Sequence, residues 1–197
     1  MAAVQQEIGS RDRIVAAARH LFSTRGFHQT PMSELAALAE VSVGQVYRLF
    51  KGKNDIICAI VEDSAGGRFA EIVALNEQVK AGALTIEAGF TRVVLLALSE
   101  EDQALAFEIL AEAHRNPDVG ATIAALCDRY RSIVRDLACV ANPRLSEADL
   151  DAAEELLLAC MFGLGHRNIS APRLPVGETA IQMARMIVAA LRALGPR

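Results

Sequence analysis

Between Thr30 and Asn54 the sequence sets helix-start signals so close together that the chain must turn twice within a few residues. Thr30 can cap a helix, Pro31 suits its first position, and Glu34 places a negative charge at the positive end of the helix dipole. Leu35, Ala36, Leu38 and Ala39 supply its apolar side. Glu40-Val41-Ser42 breaks the pattern, and Ser42 can cap a second helix, Val43 to Phe50, only about two turns long. In that helix Val46, Leu49 and Phe50 recur at helical spacing and are expected to face inward. Lys51-Gly52-Lys53-Asn54 forms a polar turn, with Asn54 as the next cap. Helices this short do not persist alone in water, so neighbours must hold them.

The rest of the chain reads as longer helices. It is 52% hydrophobic but only 5% aromatic, without Trp, and no run alternates as a strand would. A first helix is expected over Arg11–Arg25, with Ser10 as its cap, Ile14, Ala17, Ala18, Leu21 and Phe22 on one face, and Gly26 at its end. A fourth starts at Asn54 and runs to about Val79, with Gly66-Gly67 in its middle. Five more fall near 85–98, 100–115, 118–141, 147–170 and 178–194, separated by Asn116-Pro117, Asn142-Pro143 and the Ala171–Gly177 segment. The expectation is an all-α chain of nine helices. It divides into a flexible N-terminal arm (1–9), a head (10–55) and a helical body (56–197).

Several chemistries find no support. The apolar run Val93–Leu98 is too short to span a bilayer, and the first ten residues lack the basic start and apolar core of a signal peptide. A cytoplasmic location without a membrane partner is therefore expected. Cys58, Cys127, Cys139 and Cys160 form no Cys-x-x-Cys pair, so neither zinc nor disulfides are expected, and apolar packing is their expected state. No Gly-x-Ser-x-Gly, phosphate loop or metal-spaced His set occurs, which argues against an enzyme and against a cofactor.

Two short helices joined by a tight turn describe a helix-turn-helix. Its second helix enters the major groove while the first crosses the backbone. Val43 can offer a methyl contact to thymine, Gln45 can bond adenine, Arg48 can reach guanine or phosphate, and Tyr47 presents a hydroxyl to phosphate. Lys53 and the first amides of the fourth helix form a second phosphate contact. The charge agrees with that use. The chain carries −4 overall, but residues 1–53 hold seven Lys and Arg against four Asp and Glu, while residues 54–197 hold thirteen against twenty. A basic head therefore sits on an acidic body.

Residues 11–60 resemble the N-terminal domain of the TetR family of regulators. The resemblance rests on the runs Leu21–Thr30, Met32–Ala36, Val41–Phe50 and Lys51–Ile57. It implies phosphate contacts at Thr30, Tyr47 and Lys53 and base reading over 42–48, which includes Ser42, Val43, Gly44 and Gln45 with Arg48. Two positions depart from the family. Ser33 stands where Arg or Lys is frequent, which shortens or removes a contact. Glu40 stands where Gly is usual, in a turn that favours a left-handed backbone.

The resemblance further implies a ligand-responsive regulator, a repressor by the family's habit, that binds a palindromic double-stranded DNA operator as a homodimer. The last two helices, 147–170 and 178–194, carry more apolar rows than one core face needs and are the expected dimer contact. The middle helices would enclose a small apolar or aromatic effector. Candidate lining residues are Phe69, Phe90, Phe107, His114, Tyr130, Met161, Phe162 and His166. Gly66-Gly67 would let the fourth helix bend. Two other readings remain open at this stage: a helical adaptor that binds only protein, and a regulator that senses redox state through a cysteine.

Overall fold

The structure, a computed structural model, describes residues 9–98 and 103–194. The expected arm, residues 1–9, lies outside them except for Gly9, as does the start of the helix expected at residue 100.

Among the described residues nine α-helices follow one another without a strand: α1 (Ser10–Arg25), α2 (Met32–Leu38), α3 (Val43–Leu49), α4 (Lys53–Lys80), α5 (Ile86–Leu98), α6 (Gln103–Arg115), α7 (Pro117–Ala141), α8 (Glu147–Gly165) and α9 (Val176–Ala193). The eighth is shorter than expected. It stops at Gly165, and a 3-10 turn covers Arg167–Ser170. Three expected caps are also corrected. Gly9 precedes α1, so Ser10 is its first residue. Pro31 precedes α2 and has no N–H to leave unpaired. The fourth helix begins at Lys53, and the Asp55 carboxylate reaches back to the Lys51 N–H at 2.8 Å. Ser42 caps α3 as expected, its hydroxyl accepting from the Gln45 N–H at 3.1 Å.

The chain packs as two units, each with its own core. Of the described residues, 9–64 with 103–123 form one, and 65–98 with 124–194 form the other. α6 joins the first of these units through its packing on α1. In the first unit α1 lies against α2 and α6, and α2 against α3. Ile14, Ala18, Phe22, Leu35, Val46, Ile56, Ile57 and Ile60 are closed off from solvent. Phe22 and Phe27 meet edge to face, with centroids 5.2 Å apart.

In the second unit α5 packs along α9 and onto α8. Phe90, Val94, Leu137, Ala138, Leu157, Ala184 and Val188 form the centre of its core. Gly89 is required there, since a Cβ would stand 2.6 Å from the Val79 Cγ2. The break at Asn142-Pro143 has a structural use: the buried Asn142 amide donates to the carbonyls of Leu191 (2.9 Å) and Leu194 (2.6 Å), closing the end of α9. Arg135 ties α7 to α8 through Glu147, Glu154 and, at 3.1 Å, Asp151. No helix of the described residues is long and apolar enough to cross a membrane.

Candidate nucleic-acid interface

The turn between α2 and α3 is built from backbone bonds. The Glu40 N–H reaches the Ala37 carbonyl at 3.2 Å, and the Val41 N–H reaches that of Ala36 at 3.0 Å. This nested pair is the Schellman closure of a helix end. Its left-handed position is Glu40, at φ 54°. Ser42 then restarts the helix one residue later. Backbone hydrogen bonds therefore hold this turn against the intrinsic preference of Glu40.

On α3 the division into buried and outward residues is sharp. Val46 is wholly buried and Phe50 nearly so. Ser42, Val43, Gly44, Tyr47 and Arg48 are exposed, with Tyr47 at 54%. Ser33 is exposed on α2. Leu49, expected to face inward, is 44% exposed. A step of three residues turns a helix by about 300°, so Leu49 lies about 60° round from Val46. That is enough to leave the narrow face that the rest of the head covers.

Three expected contacts are partly or wholly engaged inside the protein. Thr30 is fully buried, and its hydroxyl donates to the Gly26 carbonyl at 2.9 Å. The hydroxyl therefore braces the α1–α2 turn, where a phosphate contact is the expectation. Lys53 is half-buried, and its ammonium donates to the carbonyls of Phe27 (2.7 Å) and His28 (3.2 Å) while lying 4.7 Å from the Phe27 ring centre. Burial lowers its pKa below the ordinary lysine value, and the charge of Glu112 opposes that. Gln45 is half-buried, and its side-chain Nε2 donates to Ser10 Oγ at 2.7 Å.

Sequence reasoning missed the residues that hold the head from behind. Glu108 Oε2 accepts from the Phe27 N–H at 3.2 Å. One turn further along α6, the buried Glu112 carboxylate meets His28 Nε2 at 2.9 Å and Arg115 Nη1 at 2.7 Å. The spacing of Glu108 and Glu112 put them on one helix face. Nothing in the spacing said that this face meets the α1–α2 turn.

The eight candidate pocket residues are divided between the units. Phe107, 41% exposed, and His114, also exposed, belong to the first unit. In the second unit Phe69 and Tyr130 meet edge to face at 5.6 Å, with the Arg129 guanidinium 4.1 Å from the Phe69 centroid. Phe90 is core, and Met161 packs partly buried against it. His166 is half-buried at the end of α8, and Phe162 is 43% exposed. The thiols are less buried than expected: Cys139 is exposed and the other three half-buried. Burial raises the pKa of the Cys127 thiol, which disfavours a reactive thiolate there.

Comparison with known proteins meets this geometry at the same residues. Residues 14–60 match the model of bacterial regulatory proteins of the tetR family. The HTH-type transcriptional regulator UidR of Escherichia coli (strain K12) is 32% identical over 120 residues, covering 58% of this chain and 57% of that protein. The chain thus spans little more than half of that relative's length. Two solved structures share the fold. A TetR-family regulator structure from Mesorhizobium loti has a TM-score of 0.73 at 21% identity, over 93% of this chain and 95% of that one. The regulator FadR from Bacillus subtilis, in complex with stearoyl-CoA, has a TM-score of 0.68 at 19% identity, over 92% and 97%. Residues 14–60, which hold the helix-turn-helix, thus match the tetR family of bacterial regulatory proteins, and the all-helical fold of the chain is that of the solved structures.

Proposed function

We propose that this protein is a cytoplasmic, ligand-responsive transcriptional regulator that binds a palindromic DNA operator as a homodimer and represses from it. One observation carries the reading. Val43, Gly44, Tyr47 and Arg48 stand exposed on a two-turn helix whose opposite side is anchored by the fully buried Val46. A groove-reading helix needs that combination, with small and hydrogen-bonding groups outward and a rigid seat behind. Ser33 and Ser42 extend the face, Gln45 lies at its edge, and Lys53 retains one ammonium N–H beyond its two carbonyl bonds.

Homodimerisation through the last two helices is supported by what they leave uncovered. Leu156 (66%), Phe162 (43%), Ile181 (40%) and Met186 (68%) are exposed apolar side chains on α8 and α9. Gly163 sits among them with nothing within 4 Å of a Cβ position, which leaves room for close approach. An apolar or aromatic effector is supported by the Phe69–Tyr130 pair in the second unit and by the acyl-CoA bound to the Bacillus subtilis FadR.

The test is selection from a randomised duplex library, followed by anisotropy titration across salt. The log of the affinity should fall linearly with log salt, by about 0.9 per phosphate neutralised. Arg48→Ala should weaken binding, and the enriched site should be a palindrome. A protein that stays folded yet enriches no duplex at low salt would leave the adaptor reading in its place.

A further inference from the structure

Gln45 has a choice of partners, and the structure shows which it takes. It is the third residue of α3, after the cap Ser42. In a Ser-x-x-Gln capping box the cap hydroxyl receives the N–H of the third residue, while that residue's side chain returns to the cap's own N–H. Here the first half is formed, with Ser42 Oγ accepting from the Gln45 N–H at 3.1 Å. The side-chain amide instead crosses to α1, where Nε2 donates to Ser10 Oγ at 2.7 Å. Both residues are half-buried, and they are 35 positions apart.

This bond changes what Gln45 can offer a base. A free glutamine amide turns easily about its last torsion and can present either its NH2 or its oxygen. Adenine offers an N7 acceptor beside an N6–H donor, so it wants both; guanine offers two acceptors, N7 and O6, and wants only donors. With Nε2 donating to Ser10, one N–H and Oε1 remain, the pair that adenine accepts; presenting both hydrogens to guanine requires the amide to turn over and the Ser10 hydroxyl to donate to Oε1 instead. The amide is also ordered before DNA arrives, so binding does not have to fix it.

We propose that Ser10 is a positioning residue for base reading: by engaging Gln45 Nε2 it leaves one N–H and Oε1 for a base, and so favours adenine over guanine at one step of each half-site. The proposal rests on the DNA-binding reading above and adds to it a specificity determinant outside the helix-turn-helix.

Selection from a randomised duplex library, run in parallel on wild type, Ser10→Ala, Ser10→Thr and Gln45→Ala, tests it. In wild type one column per half-site should favour adenine and exclude guanine. In Ser10→Ala the adenine-to-guanine preference at that column should fall by about tenfold, the size of one good base contact. Other columns and the salt slope should stay unchanged. Ser10→Thr keeps a hydroxyl and should restore the preference. In a Gln45→Ala background, adding Ser10→Ala should change nothing further, because the coupling is gone. If Ser10→Ala keeps the wild-type base preferences, or loses affinity equally for every sequence, the proposal fails while DNA binding stands. If wild type enriches no duplex, the DNA-binding reading fails, and this one with it.

Discussion

Arg13 Nη1 reaches from α1 to the backbone carbonyl of Glu40 at 3.4 Å, so a cation on the first helix supports the one left-handed residue of the recognition turn. The side chains add little, since their charges are 4.0 Å apart and the Glu40 side chain is 86% exposed. Strain at φ 54° in a residue with a Cβ costs about 1 to 2 kcal/mol. Glycine removes it but loses about 0.5 to 1 kcal/mol in unfolded-state entropy. The Arg13 bond uses the main chain and survives the change. Glu40→Gly should therefore stabilise the protein by up to about 1.5 kcal/mol. Urea unfolding measures this, and a loss of stability would show that the Glu40 side chain matters more than its backbone.

Two glycine sites should respond to alanine with opposite signs. Gly66 and Gly67 lie within the unbroken α4, and a Cβ at either would meet nothing within 4 Å. Close packing within the described chain does not require them. Each should gain about 1 kcal/mol on replacement by Ala. At Gly89 the Cβ would lie 2.6 Å from Val79 Cγ2, and overpacking of that kind costs about 1 to 3 kcal/mol. Denaturant midpoints of Gly66→Ala, Gly67→Ala and Gly89→Ala should move up, up and down. A fall at 66 or 67 would mean that α4 meets something there.

Local signals made most of the fold legible. Breakers and apolar periodicity placed all nine helices, because both act within one turn of the chain. Caps were less legible. Thr30 has the chemistry to cap α2, but its hydroxyl finds the Gly26 carbonyl four residues back. Leu49 has the spacing of a core residue, but a two-turn helix lets its neighbours cover only a narrow face. The recognition face was read from its motif. The supports behind it were not, because Ser10 reaches Gln45, Glu108 reaches Phe27 and Glu112 reaches His28 across 35, 81 and 84 residues. Partners at that distance leave no periodic trace.

Glu112 predicts an asymmetry. Its carboxylate is 6% exposed, while its partners His28 and Arg115 are 65% and 60% exposed. Replacing the carboxylate with an apolar group of similar size leaves the Arg115 charge and the His28 ring to water. Removing Arg115 strands a buried charge with less compensation, at about 1 to 3 kcal/mol. Arg115→Met should therefore cost more than Glu112→Met in urea unfolding at neutral pH. The reverse order would mean that Glu112 holds the α1–α2 turn mainly by attraction.

The cap of α8 should give the protein a measurable acid limb. Ser146 Oγ accepts from the Asp149 N–H at 3.2 Å, and the Asp149 carboxylate accepts from the Ser146 hydroxyl at 2.7 Å and from its N–H at 3.1 Å. The hydroxyl first, and then the backbone N–H, hold the Asp149 carboxyl below its ordinary value. A carboxyl lowered in the folded state stabilises above its unfolded value, near 4, and that contribution disappears as pH falls through the folded value. The bond from the Asp149 N–H to the serine oxygen does not titrate. Ser146→Ala removes the hydroxyl's share of both, so its deficit relative to wild type should be largest at neutral pH. Below about pH 4 it should shrink toward the cap's share alone. Paired urea titrations at pH 7, 5, 4 and 3 follow the difference directly. A deficit that stays constant across that range would mean that the Asp149 arm of the box contributes nothing in solution.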